Sequence, residues 1–270
     1  MADERVVGSK IVTEFFLNTC RLCPQVNTHT VQGVMWYASM ATRHSVNDTE
    51  VNIIPLTTGS VAEFYIEPML PLVGDIDVMS HFSDELAMPR GHPPPTRLPA
   101  EFHNNVVVHE IVDSHFPGYV YLVLRGLLTC CIDDDKYCYF EYDIKLCKQN
   151  FFISDETYIH GPAVSTDLIP SLLLSVDLVL CVRCLSWPPQ AADWPTRHRN
   201  YDWPDSATVD RVVSNGCDVV PVAHRRCRQR EWMGKHQWRL SFSRAEIVLI
   251  NSWMPVQQVV YHMLRFFSEN

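Results

Sequence analysis

The chain has 270 residues, 47% of them hydrophobic, enough for one large or two ordinary domains with a full core. A net charge of −9 excludes a generic nucleic-acid binder and leaves only local basic patches for that role. No run reaches the ~20 apolar residues of a membrane span. The opening Met1-Ala2-Asp3-Glu4-Arg5 lacks the basic and apolar regions of a secretion signal. The expectation is therefore a soluble cytoplasmic protein, with the nucleus as the other location, and no membrane partner.

In chain order, residues 4–17 and 25–48 are predicted helices of an N-terminal helical segment over 1–50. Val31, Val34, Met35, Tyr37 and Met40 give the second of them a roughly helical apolar spacing. Residues 51–57 read as a strand entering Gly59-Ser60, and Ser60-Val61-Ala62-Glu63 has the form of a capping box opening a helix. A strand covers 75–82, and the five prolines between 89 and 99 make a loop. Strands follow at 106–112 and 119–124. Asp133-Asp134-Asp135-Lys136 reads as a solvated hairpin tip between strands at 127–131 and 137–142, in preference to an acidic metal site.

Beyond Gly161-Pro162-Ala163-Val164, residues 176–182 form a strongly apolar strand with one charge, Asp177, ended by Trp187-Pro188-Pro189. Residues 190–215, rich in Trp, Pro and Arg, are expected to begin irregularly, and 219–222 is short and apolar. Trp238-Arg239-Leu240-Ser241-Phe242 alternates like a strand, placing Arg239 and Ser241 on one face and Leu240 and Phe242 on the other. Ser243-Arg244-Ala245-Glu246 reads as a second capping box, opening a helix to residue 250. Pro255 suits the first turn of a final helix. Its apolar stripe of Val256, Val259, Val260, Met263, Leu264 and Phe267 calls for a protein partner. The segments group into a core over 51–200 and core-completing strands with the start of a helical lobe over 201–270.

Ten cysteines without a secretion signal are expected to be reduced and mostly buried as small hydrophobes. Cys20 and Cys23 are spaced C-x-x-C, as are Cys181 and Cys184. In a strand the second pair faces opposite sides, so no zinc is expected.

The chemistry gathers around Gly74-Asp75-Ile76-Asp77-Val78-Met79. In a strand, Asp75 and Asp77 point the same way with Cα atoms roughly 7 Å apart. Two carboxylates about 4 Å apart repel by on the order of 4 kcal/mol at an effective dielectric near 20. Oxygen-only ligands of this kind suit Mg²⁺ or Mn²⁺. Asp177, alone in an apolar strand, is costly unless paired or bound to metal, and is the natural third carboxylate. Two divalent ions roughly 4 Å apart could then activate a hydroxyl and stabilise a leaving pyrophosphate. Ser60 at a helix N-terminus favours phosphate, and Gly59 lets the backbone approach closely. Each piece also has a plainer reading. Gly59-Ser60 can be a turn plus an N-cap, and Asp75-x-Asp77 an exposed strand end. Asp177 can pair with Arg183, though six strand residues separate them by about 20 Å.

Together these motifs resemble the Mab-21 family of nucleotidyltransferase-fold proteins, which includes cyclic GMP-AMP synthase and the animal cGAS-like receptors. The resemblance runs from Thr57 to Asn270 and rests on Gly59-Ser60, Asp75-Ile76-Asp77-Val78-Met79, Val176-Asp177-Leu178-Val179-Leu180 and Trp238-Arg239-Leu240-Ser241-Phe242-Ser243-x-x-Glu246, supported by Trp187-Pro188 and Val219-Val220-Pro221-Val222. It implies an α+β fold: a nucleotidyltransferase-type mixed sheet with flanking helices, plus the start of a C-terminal helical lobe. It also implies that Asp75, Asp77 and Asp177 are the catalytic carboxylates and hold Mg²⁺ or Mn²⁺. Gly59, Ser60, Arg239, Ser241 and Ser243 would bind nucleotide, while Trp238 and Phe242 pack in the core. The implied activity joins ATP and GTP into a nucleotide second messenger, a cyclic dinucleotide, in innate immune signalling. The alternative is a catalytically inactive Mab-21 protein acting as a nucleotide-binding or protein-interaction module. This chain departs from cyclic GMP-AMP synthase in a longer 61–74 connection containing Pro68 and Pro71, and in Asp75 where the synthase has Glu. It also ends soon after the Ser243 helix, where relatives continue, so a truncated lobe without a zinc thumb is expected. The segment 224–239 holds Arg225, Arg226, Arg228, Arg230, Lys235 and Arg239 against one acid, Glu231. It is a local patch for nucleotide phosphates or a nucleic-acid activator.

Overall fold

The computed structural model describes residues 53–59, 75–131, 136–146, 158–160, 163–169, 174–199, 203–227 and 235–254, with isolated helical positions between 7 and 15 and between 257 and 264. Among the described residues, ten strands form one sheet. They are β1 (Ile53–Thr58), β2 (Asp75–Pro89), β3 (Asn105–Asp113), β4 (Tyr119–Cys130), β5 (Tyr137–Leu146), β6 (Tyr158–His160), β7 (Ala163–Ile169), β8 (Leu174–Cys184), β9 (Cys217–Val220) and β10 (Gln237–Ser241). The order β2-β3-β4-β10-β9-β8 returns to β2 through a parallel β2–β8 pairing, so six strands close into a barrel-like ring. Each of the six lends a side chain to one buried apolar cluster: Ala87, Ile111, Leu122, Leu240, Val219 and Val182. At about 1.5–3 kcal/mol for each fully buried aliphatic side chain, this cluster is a principal source of stability.

The long strands β2 and β8 divide their labour. The C-terminal half of β2 pairs with β3 and that of β8 with β9, inside the ring. Their N-terminal halves pair with β1 and β7 instead, making a four-stranded fringe β1-β2-β8-β7 outside it. The change-over in β2 is a bulge: His81 is level with Cys181, but Leu86 is level with Arg183. A second bulge leaves Arg125 of β4 unpaired between Leu124 and Gly126. It flips the pleat, so Leu122 faces the ring cluster while Leu128 packs with Leu86, Met88, Val106 and Val108 in a second one. A side chain at Gly126 would collide with the Phe140 carbonyl of β5, so glycine is required where the bulged strand meets its neighbour.

The strands expected at 119–124 and 127–131 are thus one bulged strand, and the strand expected at 75–82 runs on to Pro89. The β4–β5 hairpin forms as predicted, with Cys130 level with Tyr137; residues 132–135 of its tip lie outside the described residues. The 190–215 stretch is irregular only at first. After two short 3₁₀ turns, helix α1 (Ser206–Ser214) starts at Asp205, whose carboxylate accepts from the Thr208 N–H at 2.7 Å. The predicted second helix is present as α2 (Ser243–Asn251), but not its capping box. Phe242 is the N-cap and no side chain caps the helix, because Ser243 is already its first residue and its hydroxyl lies 3.2 Å from that of Ser241. The described positions near both ends are helical, as expected for 4–17 and the final helix. The helices expected at 25–48 and after Ser60 lie outside the described residues.

Candidate functional site

Asp77 of β2 and Asp177 of β8 stand level with each other on adjacent parallel strands. Level residues on parallel strands face the same side, with backbones about 4.8 Å apart. The carboxylates that are a hundred positions apart in sequence are therefore neighbours. On the other side of Asp77, Thr58 of β1 is its register partner, and the Thr58 hydroxyl donates to the Asp77 carbonyl at 3.4 Å. Gly59 follows with φ +63°, and a Cβ there would overlap the Asp77 Oδ2 atom and come within 2.8 Å of Cγ. Gly59 is thus required twice, by its left-handed backbone and by the carboxylate against its Cα. The sequence expectation was a close backbone approach to a ligand; the structure places the Asp77 side chain there. Asp75 lies two positions earlier in β2, level with Ser175. Ser60 and the connection 61–74 lie outside the described residues.

Along the same face, away from the carboxylates, comes an apolar layer of Met79, Cys181, Val220 and Val222. Beyond it sits a buried charged cluster that sequence reasoning missed. Asp218 is 0% exposed, and its Oδ2 accepts from Arg244 Nε of α2 at 2.8 Å. Arg183, level with Asp218, does not pair with Asp177. Its guanidinium donates to the carbonyls of Cys184 at 2.8 Å, Cys217 at 2.7 Å and Asn215. Burial lowers the Arg183 pKa and Asp218 opposes that shift. His81 lies 3.5 Å from Arg244, and burial, helped by Arg244 and Arg183, lowers its pKa to about 4, keeping it neutral. The missed signal was Asp218 inside Cys217-Asp218-Val219-Val220, the same lone-acid pattern that singled out Asp177.

β10 behaves as the alternation predicts. Trp238 and Leu240 are buried in the ring cluster and Phe242 packs on it, whereas Arg239 is exposed and Ser241 partly so. Arg239 is level with Val220 and Ser241 with Asp218, so both share the carboxylates' face. Four residues along and two strands across, Arg239 lies roughly 13 Å and 10 Å from Asp177 in those two directions. That is within the span of an extended nucleoside triphosphate. Ser243, at the start of α2, is tied to the same place through Ser241. Of the basic patch, Arg225, Arg226, Lys235 and Arg239 are exposed; Arg228 and Arg230 lie outside the described residues. His224 beside them stacks on Phe116 with centroids 4.0 Å apart.

Two adjacent carboxylates with a bare glycine Cα against one of them fit a hard divalent cation, for which Asp77 and Asp177 would supply the oxygens. Among the described residues no three His, Cys, Asp or Glu side chains converge as a metal set. The Asp75 side chain and residue 60 are not among them. The model of the Mab-21 protein nucleotidyltransferase domain matches residues 99–252, more than half of the chain. The chain belongs to the Mab-21 family. The Mab-21 match takes in Asp177, Asp218 and the Arg239–Ser243 segment, while Gly59, Asp75 and Asp77 precede it and join the site through the β2–β8 pairing.

Proposed function

We propose that this Mab-21 protein is a metal-dependent nucleotidyltransferase that joins ATP and GTP into a nucleotide second messenger, a cyclic dinucleotide, in innate immune signalling. The observation that carries the reading is the Asp77–Asp177 pair, held level on parallel strands with Gly59 against it. A Mg²⁺ or Mn²⁺ ion bound there would offset triphosphate charge and make the attacking hydroxyl more acidic. Asp177 accepts the proton of that ribose hydroxyl, and Asp77 and Asp75 complete the oxygen set. The Gly59-Ser60 backbone cradles phosphate. Arg239, on the same face and within a nucleotide's length, contacts phosphate or base with Ser241 and Ser243. The basic patch through Arg225 and Arg226 offers a surface to an anionic activator.

The test is incubation with labelled ATP and GTP, Mg²⁺ or Mn²⁺, and RNA and DNA ligands, with products separated by chromatography. A nucleotide product that disappears in Asp77→Asn and Asp177→Asn supports the reading. NTP binding in a thermal-shift assay without turnover under any ligand would replace it with a catalytically silent nucleotide-binding module.

A further inference from the structure

The cysteines were expected to be mostly buried, and Cys181, Cys184, Cys217 and Cys227 are; those of the β4–β5 hairpin are not. There Cys138 is exposed and Cys131 partly so, and their Sγ atoms lie 2.6 Å apart. That is little more than half an ångström beyond the ~2.05 Å of a disulfide bond. The topology explains the approach. Cys138 is level with Thr129, so Cys131, two residues on, shares its face as a diagonal neighbour. The Cys131 N–H donates to the Lys136 carbonyl at 2.7 Å, closing the hairpin directly beneath the pair. The opposite face of β5 carries Tyr137 and Tyr139, which pack on the second core cluster. The thiol face is therefore turned toward solvent, and the strand behind it is anchored.

We infer that Cys131 and Cys138 are a reversible oxidation site, a dithiol that closes into a disulfide across the hairpin end on reaction with hydrogen peroxide. One thiolate attacks a peroxide oxygen, releasing water and leaving a sulfenic acid; the second thiol displaces the sulfenic oxygen as a second water. Two thiols lose two electrons and two protons in all, and the peroxide is reduced to two waters. A small-molecule thiol reverses the step by exchange. Cys130 is the competing neighbour, but it is level with Tyr137 and so faces the other way, and its Sγ lies 3.8 Å from the Cys131 carbonyl. The described residues hold no metal set that would recruit the pair as ligands.

The test is stoichiometric hydrogen peroxide on the full-length reduced protein, followed by alkylation of remaining thiols and peptide mass spectrometry. The expected product is 2 Da lighter, with two fewer alkylated cysteines, and carries a Cys131–Cys138 link that dithiothreitol removes. Cys130→Ser should form the same link, which resolves the Cys130/Cys131 ambiguity within one peptide, and Cys138→Ser should not form it. Phenylarsine oxide, a dithiol reagent, should protect the reduced wild-type pair and leave Cys138→Ser unprotected. A hairpin that remains fully alkylatable after oxidation, or a link that uses Cys130 instead, overturns the assignment.

Discussion

Removing Arg244 tests how α2 is fastened to the sheet. The Asp218 carboxylate is fully buried, its Oδ2 is held by Arg244 at 2.8 Å, and its Oδ1 has no hydrogen-bond partner among the described residues. Opposite charges about 4 Å apart attract by roughly 4 kcal/mol at an effective dielectric near 20. Deleting one member of such a buried pair costs about 3–5 kcal/mol, because the other is left uncompensated. The level Arg183 guanidinium still offsets part of the stranded charge, so Arg244→Met should sit at the low end, near 3 kcal/mol. Asp218→Asn should cost at least as much, since it leaves Arg183 and Arg244 facing each other without their acid. Urea unfolding followed by tryptophan fluorescence reads both, and the double variant should cost clearly less than the sum of the singles. A loss below about 1 kcal/mol for Arg244→Met, or strictly additive costs, would refute the buried-pair argument.

Three further outcomes follow from the site and its surroundings. If Asp77 and Asp177 hold the metal as proposed, Asp77→Asn and Asp177→Asn should each abolish any rise in melting temperature that Mn²⁺ brings and lower any nucleotide turnover by at least ~100-fold; a retained metal shift would separate the pair from metal binding. Gly59→Ala should cost about 1–2 kcal/mol for its left-handed backbone, and should weaken the metal response besides by displacing the Asp77 carboxylate; an unchanged metal titration would count against that contact. Stability should also depend on pH. His81 and His109, both held at about 4 chiefly by burial, take up protons in the unfolded chain but not the folded one between pH 6.5 and 4. Glu85, raised to about 7 by burial and Asp84, acts oppositely. It contributes stability below pH 4.5 that is lost as the pH rises through 7. Burial also raises the Asp84 pKa, so acids and imidazoles oppose each other, and the outcome to read is the difference: urea midpoints should drop more steeply, or rise less, from pH 6.5 to 4.5 in Glu85→Gln than in the wild type, and identical profiles would falsify the assignment.

The strands and the chemical types at the site were legible because each has a local signature. Asp177 and Asp77 interrupt apolar runs, and β10 alternates strictly from Trp238 to Phe242. The ring was not legible, because its closure depends on pairing residues 75–87 with 175–184, and nothing local encodes a parallel register across a hundred positions. The bulge at Arg125 hid the continuity of β4 by reversing the pleat partway along. Helix α1 was missed because its signal is compact, a single Asp205-x-x-Thr208 cap after Trp203-Pro204. The Ser243 box misled because a good N-cap residue can equally stand one position inside the helix. Gly59 was read as a close approach to phosphate, and sequence could not say that the Asp77 carboxylate lies against it.

Because β2 and β8 each surrender one half to the ring and keep the other half outside it, the molecule is a sealed cylinder with a porch. The porch holds Asp77 and Asp177, and its outer posts, β1 and β7, have no part in sealing the cylinder. Those posts are paired only with the outer halves of β2 and β8, so a change confined to β1 or β7 breaks only the outer ladders and leaves the pairings of the six-stranded wall in place.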